Sequence, residues 1–425
     1  PDKLPEGPDG KVPKMNLPNA IAAIPELREA AASSDPLLSS TLKYAVMLEG
    51  NVRNTGVHAC GIIICRDAIS DWVPISTAED KATHEKLICT QYEGSVIEET
   101  GLIKMDFLGL KTLSILKEAV ENVKLSRGIE IDIDNVPIDD PATFKLYQEG
   151  KTVGTFQFES AGMQKYLREL KPTTFEDLIA MNALYRPGPM SYIPQFIARK
   201  HGVEPIQYDI PCMEKYLKDT YGITVYQEQV MLQSRALGLF TRGQSDTLRK
   251  AMGKKKQDIM DQEAPRFIYG DKELKIDGCV NRGIPEETAK QIWEQMVDFA
   301  KYAFNKSHAA AYAAIAMQTA YLKAHYALEF AAGLLTSVMD KTDKLAVYIA
   351  EYRKNGIRIL SPDINLCHED FTVVGDSIYY GLAALKNVGK EAIGKVIDER
   401  KTNGQYVSFY DLVKRNPEID KKMLE

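Results

Sequence analysis

Residues 102–110 read LIKMDFLGL, and apolar and charged side chains alternate through them with the period of a β-strand. Ile103, Met105 and Phe107 fall on one face, Lys104 and Asp106 on the other. The first face is expected to bury in a core. The second then presents a cation and a carboxylate side by side, which phosphoryl transfer uses. A carboxylate oxygen can hold Mg²⁺, a hard cation that prefers oxygen, and a nearby ammonium can neutralise phosphate charge. The same pattern also describes a solvated strand face with an ordinary ion pair.

Outward from this strand, GIIIC (61–65) and LICTQYE (87–93) are also short, β-rich and bounded by turn residues. They predict a small sheet. Before it, a Pro- and Gly-rich start, PEGPDGKVPKMNLPN (5–19), leads into helical patterns at 20–32 and 38–50. After Gly109, helical periodicity dominates to about residue 340, in 112–123, 175–185, 226–237, 285–304 and 309–335. In 285–304, Ala289, Ile292, Met296 and Ala300 share one face. From about 355 the pattern is mixed, with IRIL, FTVV and SIYYGL as strand candidates. The fold class expected is α+β, mostly helical.

At 425 residues the chain is expected to hold more than one domain, and 44% apolar residues supply a sizeable core. Six scattered cysteines do not make a disulfide framework and suit a reducing, cytoplasmic setting. The alanine-rich run 309–335 is interrupted by Gln318, Lys323, His325 and Glu329, which argues against a membrane span. The N-terminus has neither the basic start nor the apolar segment of a signal peptide, and it begins with Pro1, so an excised segment is expected. The net charge of −6 argues mildly against nucleic acid, but phosphate affinity depends on where the cations sit.

The cations are unevenly placed. RGQSDTLRKAMGKKK (242–256) carries six, Arg242, Arg249, Lys250, Lys254, Lys255 and Lys256, against one acid, Asp246. Ser245 reads as an N-cap and Gly253 as a helix stop. In AFNKSHAAAY (303–312), Ser307 reads as the cap of the alanine-rich helix. Lys306 and His308 then lie where free N–H groups favour a phosphate. LYRPGP (184–189) is a rigid segment that can fix Arg186 for phosphate contact. ALKNVGKEAIGKVIDER (384–400) resembles one hairpin of a helix-hairpin-helix, with Gly389 allowing close approach of a DNA phosphate between Lys386 and Lys390. Each of these also fits a solvated surface, an ordinary cap or a turn. Asp132 and Asp134 would share a face if extended, but the connector NVPIDDP that follows reads as loop, so they are not taken as a metal pair. His58, Cys60, Cys65, His84 and Cys89 lack Cys-x-x-Cys or His-x-x-x-His spacing, which argues against zinc.

Taken in order, VRNTGVHACGIII, LIKMDFLGL, FQFESAGM, LYRPGP, YGITVYQEQVM, LRKAMGKKK, AFNKSHAAAYA and SPDIN resemble the C family of DNA polymerases, the bacterial polymerase III alpha subunits. The resemblance spans roughly residues 44 to 400. It implies part of a polymerase-beta-like nucleotidyltransferase palm with a helical thumb and large helical fingers. Residues 1–57 would be a partial thumb, 58–112 the second part of the palm, and 113–425 the fingers with a mixed C-terminal extension. Asp106 matches a catalytic, metal-holding carboxylate and Lys104 the lysine beside it. Arg249, Lys250, Lys306, His308 and Arg186 match positions near an incoming dNTP. Two Mg²⁺ ions, primer-template DNA, a sliding clamp, a clamp loader and a proofreading exonuclease are implied as cofactors and partners, with no membrane. The family's Asp-x-Asp pair is expected upstream of Pro1, so the chain is expected to be an internal, inactive fragment. Cys60 stands where the family is expected to carry a small Ala or Gly.

Two rival readings remain. A non-catalytic nucleic-acid-binding module would explain the lysine run but not the Lys-x-Asp strand. A metal-dependent phosphoesterase would need a His-rich ligand set that six scattered histidines do not supply.

Overall fold

The computed structural model describes residue 4 and residues 14–51, 56–58, 60–80, 84–253, 257–300 and 302–424. The chain forms two compact units, Pro1–Gly109 and Leu110–Glu425.

The first unit opens with three helices, α1 (Leu17–Ala23), α2 (Pro25–Ala31) and α3 (Pro36–Leu48), each with proline in its first turn. Proline is tolerated there because its missing N–H would be unpaired anyway. Pro25 divides the 20–32 helical pattern in two. Four strands follow: β1 (Gly61–Ile64), β2 (Ile75–Glu79), β3 (Lys86–Thr90) and β4 (Ile103–Asp106). They form two separate antiparallel pairs, β1 with β4 and β2 with β3. Val73, Ile97 and Leu102 make a small core, with Ile63, Cys65 and Ile69 packed against it.

This core reverses one expectation. Ile103, Met105 and Phe107 are 61%, 44% and 60% exposed, and Ile62 and Ile64 on the paired strand are exposed too. Cross-strand partners point the same way, so Ile63 shares its face with Lys104 and Gly61 with Asp106. Ile63 leans on the small core, and the charged face goes with it. A two-stranded ladder has one covered side, and here the cover lies on the Lys104 side.

The second unit is helical with one small sheet. Its helices are α4 (Lys111–Arg127), α5 (Pro141–Gln148), α6 (Ala161–Leu170), α7 (Phe175–Leu184), α8 (Ile193–Lys200), α9 (Glu214–Leu217), α10 (Gln227–Gly238), α11 (Arg242–Gly253), α12 (Gln257–Tyr269), α13 (Glu286–Ala300), α14 (Lys306–His325), α15 (Ala327–Thr336), α16 (Thr342–Lys354), α17 (Lys390–Asn403), α18 (Phe409–Arg415) and α19 (Lys421–Leu424). Strands β5 (Arg358–Leu360), β6 (Thr372–Val374) and β7 (Ser377–Tyr379) form a sheet in the order β5-β7-β6. Asp132 and Asp134 lie in and beside a 3₁₀ turn, where the Asp132 side chain accepts from the Asp134 N–H.

Helix α14 organises the unit. Ala309, Ala313, Ala316, Met317 and Ala320 are buried in the core of α5–α8. Alanines let neighbouring helices approach closely. The end of α14, with α4, α15, α16 and the sheet, encloses a second core around Leu322, Phe330 and Ile378. Helices α10–α13 enclose a third around Val230, Phe267, Ala289, Ile292 and Met296. The C-terminal helices pack on Val396, Ile397 and Tyr406. Asp177, 1% exposed, caps α7 and pairs with Lys200 at 2.6 Å and Tyr221 at 2.9 Å. Among the described residues, no helix is long and apolar enough to cross a membrane.

Candidate nucleotide and metal site

In the first unit, pairing of β1 with β4 sets Gly61 opposite Asp106. Lys104 Nζ lies 3.0 Å from Asp106 Oδ1. The lysine is 22% exposed and the carboxylate 51%, so the lysine stem lies along the covered face while the carboxylate opens to solvent. His58 Nδ1 accepts the N–H of Gly61 at 2.7 Å and stands 3.9 Å from Asp106 Oδ1. A Cβ at Gly61 would lie 2.8 Å from His58 Nδ1 and 3.0 Å from Asp106 Oδ1, so glycine keeps this cluster open. Asp106 fits Mg²⁺ as one oxygen ligand. The cluster brings it no second carboxylate but His58 and Cys60, a grouping that sequence spacing missed because the strand ladder supplies its third member.

In the second unit, four segments meet around the turn before α14. Tyr226 pairs with Phe304 in a parallel bridge, and Gln227 N–H donates to Phe304 O at 2.9 Å. Arg249 Nη1 donates to Gln227 Oε1 at 3.2 Å, while Gln227 Nε2 donates to Ala303 O at 3.3 Å. Gln227 thus ties α11 to the α13–α14 turn. The Arg186 guanidinium lies 4.2 Å from the Phe304 ring centroid and donates to Tyr302 O at 2.6 Å. It has no carboxylate partner among the described residues, and burial lowers its pKa. Lys306 Nζ lies 5.4 Å from the Tyr226 ring centroid. His308 stacks on Tyr312 at 4.3 Å and meets Phe304 edge-on at 5.2 Å. Gly188, with φ +101°, fits beneath Tyr302, whose ring would lie 2.5 Å from an added Cβ.

Two caps differ from expectation. Asn305 caps α14 by accepting the His308 N–H at 2.8 Å, because Ser307 already sits inside the first turn. Glu228 accepts the Lys306 N–H at 2.9 Å. The helix terminus is therefore largely satisfied by this protein's own oxygens, leaving the side chains of Lys306 and Arg186 as the cationic groups. At α11, Thr241 and Gln244 cap reciprocally, whereas Ser245 is buried one turn in. Asp246 accepts from Lys250 and Arg249, both at 2.9 Å, and these bonds lower its pKa.

Lys254, Lys255 and Lys256 lie outside the described residues. Lys386 is exposed, and Lys390 pairs with Asp370 at 3.0 Å. A Cβ at Gly389 would meet nothing within 4 Å, so the backbone there is open to approach.

Residues 8–109 match the bacterial DNA polymerase III alpha NTPase domain, and residues 112–275 match the bacterial DNA polymerase III alpha subunit finger domain. Residues 356–425 match a helix-hairpin-helix motif. The chain is 45% identical over 416 residues to the DNA polymerase III subunit alpha of Thermus aquaticus, covering 96% of this chain and 33% of that protein. It is 44% identical over 423 residues to that of Borreliella burgdorferi, covering 98% and 35%. With the Bacillus subtilis protein it shares 40% over 415 residues, covering 97% and 36%. The chain thus spans about a third of the length of these relatives.

Proposed function

Because the chain belongs to the bacterial DNA polymerase III alpha family, we propose that it carries the dNTP-holding fingers and one catalytic carboxylate of a replicative DNA-directed DNA polymerase. The reaction is transfer of dNMP from dNTP to a primer 3′-hydroxyl. Residues 1–57 read as partial thumb, 58–112 as the second part of a polymerase-beta-like palm, and 113–425 as fingers with a C-terminal extension.

The supporting observation is the gathering of Arg186, Arg249, Lys306 and His308 around the turn at Phe304. Arg186 is fixed by two carbonyls, Ala183 O at 2.8 Å and Tyr302 O at 2.6 Å, yet has no carboxylate partner among the described residues. A fixed cation without a counterion favours a phosphate ligand. Lys306 and Arg249 face charge developing on the triphosphate, where preorganised cations lower the barrier most. Lys250 sits in the next position of α11. When Asp106 holds Mg²⁺, the ion supplies charge stabilisation at the transferred phosphoryl group. Lys104 steadies the Asp106 carboxylate. The exposed Lys386, the Gly389 turn and Lys390 are assigned to DNA backbone contact, and Lys254, Lys255 and Lys256 to the same role.

The test is dNTP binding to this chain and to its Lys306→Ala variant, with Mg²⁺, at two salt concentrations. The variant is expected to bind about tenfold more weakly, equivalent to one lost charge-assisted contact. Equal binding by both would remove Lys306 from the site. Steeply salt-dependent DNA binding with no response to dNTP or Mg²⁺ would favour a nucleic-acid-binding module instead.

A further inference from the structure

We propose that His58, Cys60 and Asp106 form a site for a nitrogen- and sulfur-seeking divalent cation of the zinc and cobalt class. Their donor atoms all lie within 4.8 Å of one another. His58 Nδ1 is 3.7 Å from Cys60 Sγ and 3.9 Å from Asp106 Oδ1. Around a tetrahedral ion, with nitrogen and oxygen near 2.0–2.1 Å and sulfur near 2.3 Å, such donors stand roughly 3.3–3.6 Å apart. The two His58 separations need shifts of only a few tenths of an ångström, and the Cys60–Asp106 separation, within 4.8 Å, closes by about 1 Å at most to seat an ion.

Strand pairing assembles the ligands. Cys60 O accepts the Phe107 N–H at 2.8 Å, which locks Cys60 beside the end of β4. Gly61 leaves the space between the ligands open, since a Cβ there would press on both His58 Nδ1 and Asp106 Oδ1. His58 and Asp106 are 52% and 51% exposed, so solvent can fill a fourth position.

Two present contacts give way on binding. The N–H of Gly61 now donates to Nδ1 at 2.7 Å, occupying the lone pair that an ion would take. The ammonium of Lys104 stands 3.0 Å from Oδ1, where a cation is favoured, and its flexible stem can swing aside. The metal–sulfur bond forms as the Cys60 thiol releases its proton to solvent, with no change of oxidation state. Mg²⁺ prefers oxygen ligands, so imidazole and thiolate select a softer ion. On the polymerase reading, an ion held here occupies the Asp106 carboxylate and competes with Mg²⁺ for it.

The experiment is Co²⁺ titration of the reduced chain in millimolar Mg²⁺, reading the near-ultraviolet thiolate-to-cobalt absorption. A band is expected that persists in excess Mg²⁺. Cys60→Ala should abolish it, and Asp106→Asn should weaken Co²⁺ binding by at least about tenfold, with far-ultraviolet circular dichroism unchanged in both. No band, an equal band in Cys60→Ala, or displacement by Mg²⁺ would overturn the proposal. The measurement uses no nucleotide, so its failure is separable from failure of the dNTP test.

Discussion

Lys323 sits in α14 with its ammonium donating to Val153 O at 2.6 Å and 5.7 Å from the Tyr352 ring centroid. No carboxylate among the described residues lies within ion-pair distance, and burial pushes its pKa down to about 8. In the unfolded chain the value returns to roughly 10.4. Between those values the unfolded chain binds more protons than the folded one, so stability rises with pH. Below about pH 8 the full cost of the enclosed charge applies, roughly 3 kcal/mol at about 1.4 kcal/mol per pH unit. Lys323→Met should therefore raise stability at pH 7 and flatten the rise between pH 8 and 9.5, as checked by urea unfolding across that range. An unchanged slope would show that Lys323 does not titrate in that range. In sequence, Lys323 is legible only as a polar interruption of an apolar run. Its enclosure depends on Val153 and Tyr352, which are distant along the chain. The same holds for His58, Cys60 and Asp106, whose meeting needs a strand register.

Among elements, β4 shows which local patterns carry information. Alternation identified the strand, and its bounds, Ile103–Asp106, fall inside the stretch read from sequence. Alternation cannot say which face is covered, because that depends on which neighbour packs where. Leu102, just ahead of the strand, is 5% exposed, whereas Met105 is 44% exposed. Met105→Ser is thus expected to change the unfolding free energy of this unit by less than about 0.5 kcal/mol, against roughly 2 kcal/mol or more for Leu102→Ala. Chemical denaturation of both variants checks the contrast, and a large loss from Met105→Ser would mean that its face is covered in solution. Strand β2, Ile75–Glu79, went unread because Pro74 ahead of it and the small residues Ser76, Thr77 and Ala78 within it resemble loop, and only pairing with β3 makes it a strand. The cap errors have a shared cause. Serine is a good cap in general, but Asn305 and Thr241 lie where the chain actually enters each helix. Long helices such as α4, α13 and α14 were legible because periodicity accumulates over many turns.

For the whole chain, binding and chemistry should separate. The cationic group at Arg186, Arg249, Lys306 and His308 lies within Leu110–Glu425, and its positioning contacts are internal to that unit. On the proposed reading, nucleotide binding needs only side chains of this unit. Transfer asks for more, because two ions about 4 Å apart must clamp the attacking and leaving oxygens. The Asp106 cluster offers one carboxylate, joined by His58 and Cys60 rather than by acids. The chain also spans about a third of its relatives' length. We expect dNTP binding without measurable primer extension in Mg²⁺, read on a labelled primer-template over hours. Extension that Asp106→Asn abolishes would refute this, since the chain would then contain a complete ligand set around that carboxylate. No extension in either, with binding weakened by Lys306→Ala, would place nucleotide selection and metal-dependent transfer in separable parts of the polypeptide. The lack of transfer would then not trace to a misfolded Leu110–Glu425 unit, because the same sample still recognises its nucleotide.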